Sequence, residues 1–312
     1  MRFPLLCLLA FLALERASAD DDHFFKRNDI VALVGGEEMV TASECGHFEY
    51  WAHVCLPDDH LRFRSLAWEG DTVFEQRRDL NFPSWEEALD KIGATLVIAQ
   101  FGQMESLAGK EKLPEFIAAY RKLISRLSDG GKRRVAIIAP LDFGQSPTNL
   151  PHDDPRSARI EELRKHNEVL HSYNGAMRDM ATELNVGFIY LPLLPESKTP
   201  LQRDGVHLTD AGQFRMADYF AIETRTMVSM PANPKYYMIG RLLPTIREKD
   251  RLWFNYWRVQ NWAFLAGDRT NQPSSRDHLD PSKRWFPSER EEFLPLIEAK
   301  EKEIDALSEL VK

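Results

Sequence analysis

Cysteine is scarce in this chain: Cys7, Cys45 and Cys55 are the only three in 312 residues. Cys7 sits inside an N-terminal apolar run, too early for the lipid-bearing cysteine of a lipoprotein signal, which leaves two. If Cys45 and Cys55 share one helix, ten residues apart, their Cα atoms stand about 15 Å from each other, beyond disulfide reach. Two free thiols are therefore expected. Long apolar runs are also missing. The longest, Phe3 to Leu14, is too short to span a bilayer. No basic run points to nucleic acid, and there is no internal repeat or low-complexity tract.

That apolar run reads instead as part of a leader. Arg2 supplies its positive end, and Ala17-Ser18-Ala19 offers a small-residue cleavage site before Asp20. Residues 1–19 are thus expected to be a cleavable signal peptide, giving a secreted or periplasmic product without a transmembrane segment. Removing Arg2, Glu15 and Arg16, net +1, moves the formal charge from −8 to −9. An acidic exported chain is a poor partner for polyanions.

Past the leader, short apolar runs alternate with amphipathic stretches, the pattern of a parallel sheet covered by helices on both faces. Strands are expected at Ile30 to Val34, Leu61 to Leu66, Thr95 to Ala99, Arg134 to Ala139 and Val186 to Leu191. Helices are expected at Glu38 to Val54, Trp85 to Ile92, Leu113 to Ser128, Ala158 to Leu184 and Asp210 to Met227. Thr209 can cap the last of these, and Gly130-Gly131 can end the third. Asp142 to Arg156, rich in Pro, Gly, Asn and Asp, reads as a long loop of the kind that borders sites.

The character changes after about Met230. Six prolines and four tryptophans fall within residues 231–287, and Ser288 to Val311 reads as a charged helix with one apolar stripe. Such a stripe needs a surface to bury it, so residues 230–312 are expected to pack, as a mainly helical extension, on a domain formed by residues 20–229. "RLWFNYWRVQNW" alternates arginine with aromatics at roughly helical spacing. Docking onto that domain, with arginine stacked on rings, is preferred over a carbohydrate platform.

Chemistry concentrates in Arg203-Asp204-Gly205-Val206-His207-Leu208-Thr209-Asp210-Ala211-Gly212. An aspartate three residues before a histidine, in a turn after the last strand, can accept the Nδ1–H and leave Nε2 free as a base. Gly205 permits the turn, and Gly212 lets the following helix pack closely.

"DGVHLTDAG" resembles the last block of SGNH (GDSL-type) hydrolases. The other blocks can be matched in order. Gly35-Gly36-Glu37 stands where the family carries Gly-Asp-Ser, Gly70 in "LAWEGDTV" where a glycine gives an N–H to the oxyanion hole, and Gly102-Gln103-Met104-Glu105 where the family carries Gly-x-Asn-Asp. The resemblance covers about residues 28–228 and is closest to an exported bacterial branch with an extension like "NWAFLAGDRTNQPSSRDH". It implies a flavodoxin-like three-layer α/β/α fold with a five-stranded parallel sheet, and hydrolysis of an acyl ester of a small molecule or carbohydrate, without cofactor or metal. His207 would then be the base, Asp204 its orienting partner, and Gly70 an oxyanion donor.

Two positions depart from that pattern. Glu37 carries no alcohol for the histidine to activate, and the Met104 thioether donates no hydrogen bond. Glu37 can be a helix N-terminal residue suited to the macrodipole, a partner of protonated His207, or a base or nucleophile for other chemistry. A metal held by Glu37, Glu105, Asp204 and His207 is the less favoured option, because no ligand-spaced pair on one helix supports it. Ser106 is the rescue nucleophile to test. The competing reading is a non-catalytic binding or scaffold protein that keeps the cleft.

Overall fold

The computed structural model describes residues 23–144, 154–191, 199–226 and 236–310. The expected leader, most of the expected 142–156 loop and the change of character near Met230 lie outside the described residues. Five strands form one sheet: β1 (Ile30–Gly35), β2 (Arg62–Ser65), β3 (Leu96–Gln100), β4 (Arg134–Ile138) and β5 (Gly187–Ile189). Every pairing is parallel, in the order β2-β1-β3-β4-β5. Flanking helices are α1 (Glu37–Cys45), α2 (His47–Cys55), α3 (Trp85–Ile92), α4 (Gln103–Ser106), α5 (Leu113–Ser128), α6 (Pro155–Lys165), α7 (Asn167–Leu184) and α8 (Asp210–Glu223). The C-terminal region adds α9 (Tyr236–Trp257), α10 (Trp262–Leu265), α11 (Trp285–Glu291) and α12 (Phe293–Glu309).

The central strands are apolar throughout because both faces are covered. Val31 and Leu33 face a layer that includes Met39, Phe48 and Phe220, whereas Ala32 and Val34 face Leu89, Phe116 and Tyr173. Winding from β1 to an edge strand and then back to β3 on its other side makes the β1/β3 junction a switch point. Open α/β sheets leave a crevice at the carboxyl ends of such strands.

Three expected helices are each split in two. The Glu38–Val54 stretch breaks at Gly46, which takes φ 70° as the end cap of α1. A Cβ there would lie 2.9 Å from Ile246 of α9, so the break also admits the C-terminal region. Cys45 and Cys55, on the two sides of the break, are both free thiols. The Ala158–Leu184 stretch breaks at His166, whose N–H bonds Leu163 O in a tightened i−3 turn. The last helix breaks at Glu292, since Pro295 has no N–H for the Glu291 carbonyl and its ring crowds that group.

The C-terminal region covers the open edge of β2. Trp253 Nε1–H donates to Ser65 O at 2.7 Å, Arg62 forks onto Asp305 at 2.9 and 2.6 Å, and Arg64 reaches Glu301 at 2.6 Å. Leu242 and Ile246 of α9 pack with Val54, Ile304 and Leu307. Trp253, Trp257 and Trp262 are buried, which is the packing role expected of these aromatics. At the centre of the joint the Lys249 ammonium, fully buried, donates to Glu49 and Asp250, each at 2.6 Å. No helix of the described residues is long and apolar enough to cross a membrane.

Candidate functional site

β1 delivers Gly35 and Gly36 to the switch point. A Cβ on Gly35 would meet Met39 at 2.6 Å and Gln100 O at 2.7 Å, so only glycine lets the strand end this close to β3. Gly36 then caps α1 with no side-chain bond, and Glu37 and Glu38 occupy the first turn, where carboxylates suit the helix dipole.

The second arm is the 202–209 turn. Asp204 Oδ1 accepts the N–H groups of Val206 (3.0 Å) and His207 (2.9 Å), and Gly205 takes φ 84°. Arg203 N–H closes the turn on His207 O at 2.8 Å, and Thr209 caps α8 by accepting from Gly212 N–H at 3.1 Å. The turn thereby aims the imidazole at β1. Nδ1 of His207 lies 2.7 Å from Asp204 Oδ2, and Nε2 lies 3.2 Å from Glu37 Oε2. Burial lowers the basicity of His207, but the hydrogen bond and charge of Asp204, joined by the charge of Glu37, raise it overall. Burial acts on Asp204 in the opposite sense to its bonds from the His207 and Val206 amides and the imidazole, and the bonds prevail, so its acidity is strengthened.

Glu105 is brought to the same cleft in a different role. Its carboxylate accepts Val73 N–H at 3.0 Å and Gly102 N–H at 2.9 Å, clamping the loop after β2 to the loop after β3. Burial raises its pKa against those two bonds. With its oxygens so engaged, Glu105 does not join Glu37, Asp204 and His207 as a ligand set. Gly70 lies in an exposed turn, and Asp71, not Gly70, lines the cleft. Met104 is 61% exposed at the mouth. Ser106 is fully buried, with its hydroxyl donating to Gln103 O at 2.7 Å, and has no opening to the cleft.

Glu38 belongs to the site although the pattern reading did not single it out. Its Oε2 accepts Gln213 Nε2–H at 3.1 Å, and its Oε1 is buried without a hydrogen bond among the described residues. Burial pushes its pKa up to about 7, against the pull of His207. The only sequence signal was adjacency: Glu38 follows Glu37, and Gln213 follows the Gly212 that seats α8. The cleft between these groups encloses about 80 Å³.

A separate cluster could be taken for a metal centre. Cys45, His47 and Asp210 present ligand atoms within 4.8 Å of one another. Arg247, however, lies 2.5 Å from Asp210 Oδ1 and 3.5 Å from His47 Nε2, and burial with Asp210 alongside pushes the Cys45 thiol up to about 12. A guanidinium already supplies the positive charge there, so the cluster is a hydrogen-bonded joint between α1, α8 and α9.

Residues 75–220 match the model of the GDSL-like lipase/acylhydrolase family. Over that segment, a little under half of the chain, the sequence is similar to the SGNH/GDSL-type hydrolases. Asp204 and His207 fall inside the matched span and Glu37 falls before it, so Glu37 enters the site through geometry. No curated protein matches the sequence. Among solved structures, a gut microbial diltiazem-metabolizing enzyme aligns with TM-score 0.56 at 11% identity, covering 92% of this chain and 95% of that one. Such coverage extends the shared fold beyond the sheet into the helical C-terminal region. An acetyl xylan esterase aligns with TM-score 0.42 at 16% identity over 61% of this chain and 97% of its own. A carbohydrate acetylesterase from Sinorhizobium meliloti aligns with TM-score 0.42 at 15% identity over 64% of this chain and 100% of its own.

Proposed function

We propose that the protein is an exported hydrolase of acyl esters, acting on an esterified small molecule or carbohydrate, in which water takes the place of the enzyme's alcohol. The observation that carries this reading is the Glu37–His207–Asp204 line, two carboxylates joined through one imidazole at the mouth of the cleft. Glu37 stands, by the order of the motif blocks, where relatives place their nucleophile. A carboxylate that attacked an acyl carbon would form an anhydride, whereas a carboxylate–imidazole pair can deprotonate a water.

In this scheme the water oxygen bonds to the acyl carbon while its proton passes to Glu37 or to neutral His207. The carbonyl oxygen takes the negative charge. It faces the first turn of α1, where the Glu37 and Glu38 N–H groups have no intrahelical acceptor. Collapse breaks the bond to the alkoxide, which leaves as the alcohol with a proton from the His207 imidazolium. Asp204 holds the ring throughout. The leader in residues 1–19 supports export.

A second reading, a binding protein without turnover, is favoured by the burial of Ser106 and the missing alcohol at Glu37. One experiment separates the two. Purified mature protein is assayed on aryl acetates and acetylated sugars beside Glu37→Gln, His207→Ala and Ser106→Ala. Turnover that drops by about 10² or more in the first two variants and survives in the third supports the water route. Equal background in all four forms establishes the binding reading. Loss in Ser106→Ala, with a fluorophosphonate label on that serine, establishes an acyl-serine route.

A further inference from the structure

Glu37 and Glu38 are neighbours in the first turn of α1, and successive residues of a helix point about 100° apart. Glu37 reaches the mouth of the cleft, where its Oε2 meets His207 Nε2 at 3.2 Å. Glu38 turns instead toward α8. Its Oε2 accepts Gln213 Nε2–H at 3.1 Å, and the Leu208 N–H lies close enough to favour its charged form. Both partners are tied to the histidine turn: Leu208 directly follows His207, and Gln213 donates its backbone N–H to Thr209 O at 2.8 Å. One carboxyl thus joins the helix that carries Glu37 to the turn that carries His207.

Acceptors outnumber donors around that carboxyl. Glu38 Oε1 and Gln213 Oε1 are both buried with no hydrogen bond among the described residues. Buried acceptors left unmet are costly. A proton on Glu38 Oε1 converts one of them into an O–H donor, the kind of group this corner lacks. The surrounding charge acts in the same direction. Three carboxyls, those of Asp204, Glu37 and Glu38, face one imidazole. The other acids of the cleft are engaged elsewhere, Asp71 by Arg78 at 2.7 Å on each oxygen and Glu105 by the Val73 and Gly102 amides. Arg203, exposed in the turn, favours the charged form of Glu38, as His207 does, whereas Glu37 opposes it. Burial outweighs them and carries Glu38 to about 7, the range in which a histidine also titrates.

We infer that Glu38 is a positioning residue for His207: it clasps the histidine turn to α1 and exchanges its proton in step with the imidazole. Groups that interact this closely release their protons as a pair. An ionised Glu38 holds the imidazole protonated, and a protonated Glu38 lets the imidazole release its proton more readily. His207 must be neutral to take a proton from water, so Glu38 sets the pH at which the base is ready. The clasp itself persists through the titration, because either form of the carboxyl keeps an oxygen for Gln213.

The link to turnover rests on the acyl-ester reading, whereas the link to the imidazole does not, so the two can fail separately. Purified mature protein is compared with Glu38→Gln, which keeps an oxygen for Gln213 but cannot ionise, and with Glu38→Leu, which loses the clasp as well. The His207 imidazole, assigned by its absence in His207→Ala, is titrated by NMR, and kcat and KM on aryl acetates are measured across the same pH range. In the wild type the imidazole should titrate over a broadened range. In Glu38→Gln its midpoint should move to lower pH and the curve should sharpen to that of a single proton, with the acid limb of kcat/KM moving the same way. Glu38→Leu should lower kcat about tenfold or more while changing KM little, as for a misplaced catalytic group. An unchanged His207 midpoint in Glu38→Gln, or acid limbs that coincide, overturns the inference and leaves Glu38 a packing residue. Absence of turnover in every form, beside a His207 midpoint that shifts in Glu38→Gln, overturns the ester reading alone.

Discussion

His207 stands between two carboxylates, with Nδ1 2.7 Å from Asp204 Oδ2 and Nε2 3.2 Å from Glu37 Oε2. An imidazole in that position gains a partner for each ring N–H only when both are protonated, so the arrangement favours the imidazolium. Burial opposes this, and Asp204 and Glu37 outweigh it. A histidine whose folded pKa is raised contributes stability that is fully present below its unfolded pKa, and this stability is lost as pH rises through the folded value.

Neutralising either carboxylate should therefore lower the His207 pKa, and Asp204→Asn should lower it more than Glu37→Gln, because Asp204 adds a hydrogen bond to its charge. NMR titration of the imidazole carbons checks this. A His207 pKa unchanged in Glu37→Gln would mean that the Glu37 contact is not held in solution.

Glu38 titrates with the opposite consequence. Its pKa, pushed by burial up to about 7, lies above the ordinary carboxylate value. The folded state then holds a proton that the unfolded chain has released, and stability falls as pH rises from the ordinary value toward 7, by up to about 1.4 kcal/mol per pH unit for one group. Glu38→Gln cannot lose a proton and can still accept from Gln213. It should match the wild type near pH 5 and exceed it in stability at pH 8, as measured by denaturant melts across that range. Parallel pH curves for the two proteins would place the titration elsewhere.

The sequence revealed the layout more fully than the site. Strands such as "IVALVG" and "LVIAQ" are apolar because both faces are covered, and that pattern is legible in the sequence as a buried parallel sheet. Asp204 and His207 were legible because the turn is local: the aspartate binds amides two and three residues on, and Gly205 supplies the positive φ. Gly46 gives no stop signal on its own, since a glycine inside a helical pattern is tolerable until the α9 side chains that need its missing Cβ are placed. Glu105 and Glu38 could not be ranked because burial, not residue type, sets their roles. Gly70 and Asp71 are adjacent, and pattern alone does not say which of the two faces the cleft.

Gly212 offers a sharp packing test. A Cβ there would lie 2.1 Å from the Leu201 carbonyl oxygen, inside the bridge that holds the His207 turn. Gly212→Ala should destabilise the protein by about 1–3 kcal/mol, the usual range for forced overpacking, and should lower turnover by moving His207 relative to Glu37. Gly240, in α9, has nothing within 4 Å of its ideal Cβ. Gly240→Ala should instead stabilise by about 0.5–1 kcal/mol, the helical advantage of alanine. Denaturant midpoints of the two variants moving in the same direction would refute this account of α8.

Lys249 tests how the C-terminal region is held. Its ammonium is fully buried between Glu49 and Asp250, and it also donates to Phe63 O at 3.2 Å. Removing one partner of a buried cluster costs more than the cluster contributes, because the remaining charges keep their desolvation penalty and lose their compensation. Lys249→Met should cost about 3–5 kcal/mol on that basis. Burial pushes Asp250 up to about 7 even with the lysine present, so without it the carboxylates hold their protons to higher pH. The variant should then be least impaired in acid, where protonation removes the unpaired charge, and most impaired above neutrality. Adding Glu49→Gln and Asp250→Asn to Lys249→Met should recover much of the loss and flatten its pH dependence, because no buried charge is left to compensate. If the triple variant melts no higher than the single one, the ammonium acts mainly through Phe63 O and its packed stem, and the ion cluster is not what fixes α9 to the sheet edge.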